Sequence, residues 1–530
     1  MLKELLKREP EKFRKYLIYC ICYVISDTII LVILTSVLGK VLSHFRYLML
    51  FIIMLLLTAI FYVRYQKNAV QLIEAVVGST RERIIEKVRK ADLESYERLG
   101  KSEIYNVITR DTQIVSEAIN MFMNATESAF LSVTVLIYLS LVYLPGSLFI
   151  VAILGSGILI YAHQMARIKK WISQARDTEK GLFDSISDVI YGFKELKVND
   201  RKNDEFFHHN FRKKTSENRQ YRTKAENAFA QSNVLSAFIQ FIVFIPMVFI
   251  LPTVIHVSTH EVVVSVTMIL FIPFFALKDT VPYLVWAGVS IERILKLEQE
   301  LETIKTEVSY PVSEEKIHRF KEIRYDNICF TYRDRQGKPL FSIEDISFSL
   351  CPNEILFIIG GNGSGKSTLL KIITGLYFPL SGAIEIDGSQ VEMAKHRYLF
   401  STIFSDFHLF DRLYGLSHID KGRVDELLRL MDLDHKLEFV EENRFSTLDL
   451  STGQRKRLAM IASIMEDKPV YVFDEWAADQ SPHFREYFYH ELVPSFKAQG
   501  KSVIAVTHDD RYFHVADRVL KLDYGRLSDL

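Results

Sequence analysis

The sequence predicts an α-helical polytopic membrane domain, six transmembrane helices with long cytoplasmic extensions, followed by an α/β P-loop domain. Three observations carry this. Apolar residues make up 49% of the 530 positions and gather in the first half, in runs of near-spanning length. From about Pro311 the composition becomes that of a soluble α/β domain, which sets the expected domains at 1–310 and 311–530. In the second half, Gly360-Gly361-Asn362-Gly363-Ser364-Gly365-Lys366-Ser367 lies between the apolar run 355–359 and the helix-like stretch 368–376 that Thr368 opens.

The first fifteen residues are polar and basic. The apolar run behind them, 16–38, is too long for a signal peptide and has no small-residue cleavage site, so it reads as a first membrane span. Further runs follow at 47–65, 128–144, 147–163, 232–251 and 262–285; at roughly 20 apolar residues per crossing they complete the six spans. The connections alternate. Those at 38–46, 145–146 and 252–261 are short and poor in Lys and Arg, whereas 66–125 and 164–222 are long and rich in charge. The positive-inside rule places the long connections and both termini in the cytoplasm. Apolar residues recur at helical spacing in 72–87 and 101–122, so the spans are expected to continue as helices beyond the bilayer. Gly192-Phe193-Lys194-Glu195-Leu196-Lys197 interrupts the second long connection as a short exposed turn. Asp27 stands near the middle of the first span, where a carboxylate is costly unless it meets water or a partner. It is expected to face a central cavity, with Lys278 and Asp279 as candidate counterparts. Phe271, Phe274 and Phe275 in the last span read as packing.

Lys+Arg and Asp+Glu are balanced at 65 each, so no net charge points to nucleic acid. The four cysteines match no zinc or disulfide spacing. The Gly-rich loop is a phosphate cradle: its glycines let backbone N–H groups converge on phosphates, and the helix behind it adds its positive end. Lys366 is suited to neutralise the β- and γ-phosphates, and Ser367 to hold Mg²⁺. The run 469–475 is a buried strand ending in two carboxylates. Asp474 suits Mg²⁺ and Glu475 suits polarising the attacking water. His508 ends the strand-like 502–507 and is positioned to contact the γ-phosphate. Leu450-Ser451-Thr452-Gly453-Gln454 opens the helix-like 455–465, a second anion-facing helix end.

In this order these motifs resemble the nucleotide-binding domain of ABC transporters, and the whole chain resembles a half-transporter of the exporter type. By that resemblance 360–367 is the Walker A loop, 450–454 the signature motif, Asp474 and Glu475 the Walker B end, Asp479 the D-loop residue, His508 the switch histidine, and Tyr332 the aromatic that stacks on adenine. The resemblance implies bound ATP and Mg²⁺ and a homodimer in which the signature of one copy completes the ATP site of the other. Phe193-Lys194-Glu195-Leu196-Lys197, the run 404–410 and the run 474–480 resemble more narrowly the exporters of cyclic peptides and siderophore precursors, the syringomycin and pyoverdine secretion type. That makes 192–197 a coupling segment and the cargo an amphipathic, peptide-like compound crossing the inner membrane. A lipid or multidrug extruder with the same machinery, or a membrane-tethered regulatory ATPase, are the other readings. Two departures stand out. Thr452 replaces the usual signature glycine, and Ser405 stands where the family has its Q-loop glutamine. Either Asp406 or His408 takes over there, or Mg²⁺ is held more loosely.

Overall fold

The computed structural model describes residues 6–37, 44–250, 253, 258–270, 274–303, 320–333, 338–416, 418–440 and 443–528. The chain divides into two compact units, Met1–Glu86 with Ile104–Gln299, and Lys87–Glu103 with Glu300–Leu530. The short segment 87–103 therefore clusters with the C-terminal unit, although a single boundary at 310/311 counts it with the membrane domain.

The first unit is helical. Three described helices are long and apolar enough to cross a membrane, Pro10–Val37, Phe45–Lys90 and Lys101–Val142, and a shorter apolar stretch covers Leu144–Gly157. Their apolar faces are open, with Phe45, Leu56, Leu141 and Leu159 each more than half exposed, as suits helices whose solvent is lipid or another helix. The fifth expected span lies in the helix Arg212–Ile245 and the π-helical turn Pro246–Ile250, and the sixth in Thr259–Leu270 and Phe274–Thr303. Positions 251 and 271–273 fall outside the described residues. The 145–146 connection is tighter than a loop. The chain reverses at Tyr143 (φ −149°, ψ 86°) and the next helix starts at Leu144 with proline in its first turn, where a missing N–H costs nothing. Small apolar clusters hold the bundle: Leu31, Val135, Val264 and Met268 pack together, as do Ile168, Ile172 and Ala225. Residues 193–197, expected as a turn, form a five-residue helix after Gly192.

The second unit is an α/β domain with twelve strands among the described residues: β1 (Ile323–Arg333), β2 (Pro339–Leu350), β3 (Ile355–Ile359), β4 (Ser381–Ile386), β5 (Ser389–Gln390), β6 (Phe400–Ile403), β7 (Phe439–Val440), β8 (Arg444–Phe445), β9 (Val470–Asp474), β10 (Ser502–Val506), β11 (Arg518–Asp523) and β12 (Arg526–Ser528). Six form one sheet in the order β12-β11-β3-β10-β9-β6, and four form another, β2-β1-β4-β5. The central strands β9 and β10 are buried at every residue, the unbroken apolar signature of a parallel sheet covered on both faces. One core cluster holds Phe357, Tyr471, Phe473 and Val503 with the helix Thr452–Glu466; the other joins Leu356, Ile358 and Ile504 to the helix Lys366–Ile373 and to β1 and β2.

Candidate functional site

The site sits at the C-terminal edge of the six-stranded sheet, and strand register builds it. Val506 of β10 pairs with Ile358 of β3 on one side and with Asp474 of β9 on the other. The segments leaving these three strands therefore emerge side by side at the edge where parallel sheets present ligands: the loop 360–367, Glu475, and Thr507 with His508. Backbone bonds tie them, from Thr507 N–H to Ile358 O at 3.2 Å and from Glu475 N–H to Val506 O at 3.3 Å.

The loop is pinned on one side and open on the other. A Cβ at Gly360 would lie 2.2 Å from Leu522 O, and one at Gly365 2.7 Å from the Phe341 ring; at Gly361 or Gly363 it would meet nothing within 4 Å. Gly360, Gly363 and Gly365 all have positive φ, which only glycine adopts cheaply. The helix Lys366–Ile373 starts inside the loop, so its first-turn amides have no acceptor within the helix. Lys366 folds back over the loop and donates to Gly360 O and Gly361 O, each at 3.0 Å. Burial pulls its pKa below the ordinary lysine value, opposed by the charges of Glu475 and Asp474.

Two orphaned atoms test the fit of a nucleotide with its metal. Ser364 Oγ and Asp474 Oδ2 are buried and have no hydrogen-bond partner among the described residues, and Asp474 is only 2% exposed. A buried carboxylate oxygen without a donor demands an explanation, and a hard cation or the water it carries supplies one. Ser367 is exposed beside the open face of the loop. The residues present therefore fit Mg²⁺ held through Ser367 and Asp474. Beyond Asp474, Glu475 stands in the left-handed region (φ 51°), a conformation costing about 1 kcal/mol or more for a residue with a Cβ. It aims its carboxylate at His508, whose Nε2 lies 2.9 Å from Glu475 Oε1. Both side chains stay accessible. A cavity of about 330 Å³ opens beside this pair, walled also by Arg485, Tyr489, Asp509 and Arg511.

The 450–454 segment is built as a helix start. Ser451 caps the helix Thr452–Glu466 in a capping box: Gln454 N–H donates to Ser451 Oγ, and Ser451 N–H donates to Gln454 Oε1 at 3.0 Å. Ser451 and Thr452 are exposed, and Gly453 and Gln454 half-buried. This helix start is joined to the turn after β9. A Cβ at Gly453 would sit 2.9 Å from Asp479 O, and Gln480 Nε2 donates to Gly453 O. The resemblance did not single out Lys456, which makes the strongest tie. Its Nζ, on a residue 3% exposed, donates to Glu475 O and pairs with Asp479 Oδ2, both at 2.7 Å. Trp476 Nε1 closes the loop by donating to Lys456 O.

Tyr332 stands at the end of β1 with its ring 6.1 Å from that of Tyr377. Its hydroxyl donates to Glu97 Oε2 at 2.8 Å, Tyr377 donates to the same carboxylate, and Lys371 Nζ reaches Glu97 Oε1 at 2.9 Å. Burial works to raise the Glu97 pKa, but the hydrogen bonds from Tyr377, Lys371 and Tyr332 outweigh it and hold the carboxyl below the ordinary glutamate value. Glu97 lies on the short helix Leu93–Leu99, capped by Asp92, whose side chain accepts from Ser95 N–H. Sequence reasoning had no signal for this contact. Ser405, Asp406 and His408 follow β6 and are exposed, with the His408 ring edge-on to Phe410. In the first unit Asp27 is half-buried. Phe271 and the side chains of Phe274, Phe275, Lys278 and Asp279 lie outside the described residues.

Comparison with known proteins gives three findings. Residues 343–478 match the family described as ABC transporter, and residues 16–277 that described as ABC transporter transmembrane region. The chain is 30% identical over 462 residues to ATP-binding protein SyrD of Pseudomonas syringae pv. syringae, covering 83% of this chain and 80% of that protein. It is 29% identical over 229 residues, 39% of its length, to energy-coupling factor transporter ATP-binding protein EcfA2 of Spiroplasma kunkelii, 73% of which is covered. Among solved structures, a bacterial Atm1-family ABC exporter with ATP bound superposes with a TM-score of 0.74 at 17% identity, covering 98% of this chain and 95% of that one. At that identity the likeness speaks for the fold.

Proposed function

The chain belongs to the ABC transporter family, a half-transporter with one membrane domain and one ATP-binding domain, and from that premise we propose that it is a homodimeric exporter. Its cargo is a cyclic peptide, a peptide siderophore precursor or a similar amphipathic compound, carried across the cytoplasmic membrane by alternating access. The observation that carries this reading is the convergence of the 360–367 loop, Asp474, Glu475 and His508 on one sheet edge, in a chain whose first half is made of membrane-crossing helices. In this reading both termini lie in the cytoplasm, which the basic N-terminus and the charged long connections support.

In this reading Lys366 and the loop amides hold the phosphates of ATP, and Tyr332 receives the adenine. Ser367 and Asp474 would hold Mg²⁺, which when bound would supply neutralisation of phosphate charge. Glu475 orients and polarises the attacking water, and His508 fixes the carboxylate it faces at 2.9 Å and contacts the γ-phosphate. A second copy contributes Ser451, Thr452, Gly453 and Gln454 to each site, with Asp479 at the seam. Two exposed surfaces support the dimer. Ser451 and Thr452 face solvent at their helix start, and Tyr191, Phe193 and Val198 around the 193–197 helix are 86%, 59% and 88% exposed, an apolar display that suits docking to a second copy.

The test is ATP-dependent uptake of a fluorescent cyclic lipopeptide into inside-out vesicles, with right-side-out vesicles as the control. Uptake confined to inside-out vesicles is expected; hydrolysis of ATP with no movement of any of a panel of cyclic peptides, lipids and hydrophobic drugs would turn the reading to a membrane-tethered regulatory ATPase. Preference for lipids or drugs would make the chain an extruder of those instead.

A further inference from the structure

Within the first unit the structure gathers polar groups where an apolar interior is the rule. Along the helix Pro10–Val37, Tyr16, Cys20, Tyr23 and Asp27 recur at spacings of three and four and so share one face. Two further tyrosines come from the helix His44–Lys90: Tyr65 lies 5.5 Å from Tyr16 and 5.8 Å, stacked, from Tyr23, and Tyr62 lies 5.2 Å from Tyr23 between ring centroids. From the helix Thr112–Val142, Glu127 faces the hydroxyls of Tyr65 and Tyr23 and lies within electrostatic range of Asp27. Tyr16 locks the base, donating to Met123 O at 3.0 Å. The floor is sealed, with Tyr16, Cys20 and Tyr65 at most 1% exposed, whereas Tyr62 is 44% exposed and leaves one side open.

Two carboxylates within electrostatic range repel each other, and each is costly at membrane depth without compensation. Among the described residues no Lys, Arg or His acts on Asp27 or Glu127. What surrounds them is aromatic: tyrosine faces, which attract cations through their ring quadrupole. Carboxylates set among aromatic faces are complementary to a positively charged group, which the neutral tyrosine hydroxyls do not replace.

We propose that Asp27 and Glu127, walled by Tyr23, Tyr62 and Tyr65, form a recognition site for a cationic amine on the cargo. This rests on the exporter reading and narrows it from amphipathic compounds to amphipathic cations. The amine enters past Tyr62, sits between the carboxylates, and is covered by the Tyr23 and Tyr65 rings, while the apolar part of the cargo lies along the exposed helix faces.

The experiment uses the 530-residue chain in lipid nanodiscs and two probes, the cationic Nα-dodecanoyl-lysine amide and its neutral Nε-acetyl derivative. Equilibrium binding is measured for the parent, the Asp27→Asn and Glu127→Gln variants, and Asp27→Glu as the conservative rescue, using only protein that keeps the parent's elution and thermal transition. The amine is expected to bind the parent about tenfold more tightly than the acetylated probe. The neutralising variants should bring the two probes within about twofold of each other, and Asp27→Glu should restore most of the preference. Equal binding of the probes to the parent, absence of saturable amine binding, or an undiminished preference in both neutralising variants would overturn the proposal. Failure of the exporter reading shows separately, as amine binding without ATP-driven movement into inside-out vesicles.

Discussion

Replacing Glu97 with alanine removes one carboxylate that three donors share. Its partners are Tyr332 at 2.8 Å, Lys371 at 2.9 Å and Tyr377, and the carboxylate is 24% exposed against 19% for Lys371. The Lys371 pair, near the surface, is worth at most about 1 kcal/mol. The Tyr377 hydroxyl, on a residue only 2% exposed, would lose its carboxylate acceptor and keep only the 3.5 Å contact to the Tyr332 hydroxyl, a cost of about 1–3 kcal/mol. The Tyr332 bond adds a further increment, and because the three share one acceptor they do not add fully. A loss of about 2–4 kcal/mol in the docking of the helix Leu93–Leu99 on the ATP-binding domain follows, which at about 1.4 kcal/mol per tenfold is a fall in protection of roughly thirty-fold to several-hundred-fold. Hydrogen exchange on the amides of 93–99 reads this directly. Glu97→Gln, which keeps one accepting oxygen, should fall between parent and alanine variant. If Glu97→Ala exchanged no faster than the parent across these residues, the carboxylate would not be what holds the helix, and its part in linking Tyr332 to this segment would be refuted.

Other outcomes follow from the same geometry. Glu475→Gln keeps the shape of the site but removes the charge facing His508; ATP should still bind while steady-state hydrolysis falls by two orders of magnitude or more (about 3 kcal/mol in the barrier), and hydrolysis at the parental rate would dismiss Glu475 as the water-polarising group. Gly360→Ala places a methyl 2.2 Å from Leu522 O, so ATP binding measured by fluorescent-nucleotide titration should be lost. Lys456→Met strips the turn 476–479 of its tie to Glu475 O and Asp479; hydrolysis should drop far more than nucleotide affinity, and equal losses in both would argue for general unfolding. The pH dependence of the Glu97 contact has a fixed sign. Its folded pKa is depressed, so the stabilisation is whole above the ordinary glutamate value and is lost as pH falls from there through the folded value; the melting difference between parent and Glu97→Ala should close over that acid range and stay constant above it.

The sequence is most informative where function forces an unusual local pattern. The loop 360–367 is legible because its glycines, lysine and serine occur at fixed spacing behind an unbroken apolar strand, and β9 and β10 because burial on both faces leaves them no polar alternation. Elements held by tertiary contact are harder to read. Arg455-Lys456-Arg457 looks like a solvated basic run, yet Lys456 and Arg457 are 3% and 9% exposed, because acceptors far along the chain replace water. Glu97 meets its partners across more than 230 positions, and nothing around it in sequence distinguishes it from the exposed acids of any surface helix. The 193–197 stretch was expected as a turn and is a short helix; five residues give too little periodicity for the two to be told apart. Asp27 was visible as a charge out of place, but the tyrosines and Glu127 beside it come from three helices whose register no local rule supplies.

The phosphate loop is finished by β11 and the turn that follows it. Gly360 packs against Leu522 O, Gly525 N–H donates to Ser364 O at 3.0 Å, and β11 pairs directly with β3. During synthesis the loop leaves the ribosome long before these partners exist, so the nascent domain cannot yet offer a finished cradle. ATP, however abundant in the cell, stabilises only what it can bind. The nucleotide therefore acts late, on a domain in which β11 is already paired with β3. A product cut between His508 and β11 would carry every recognisable nucleotide motif and lack the strand against which the loop is set.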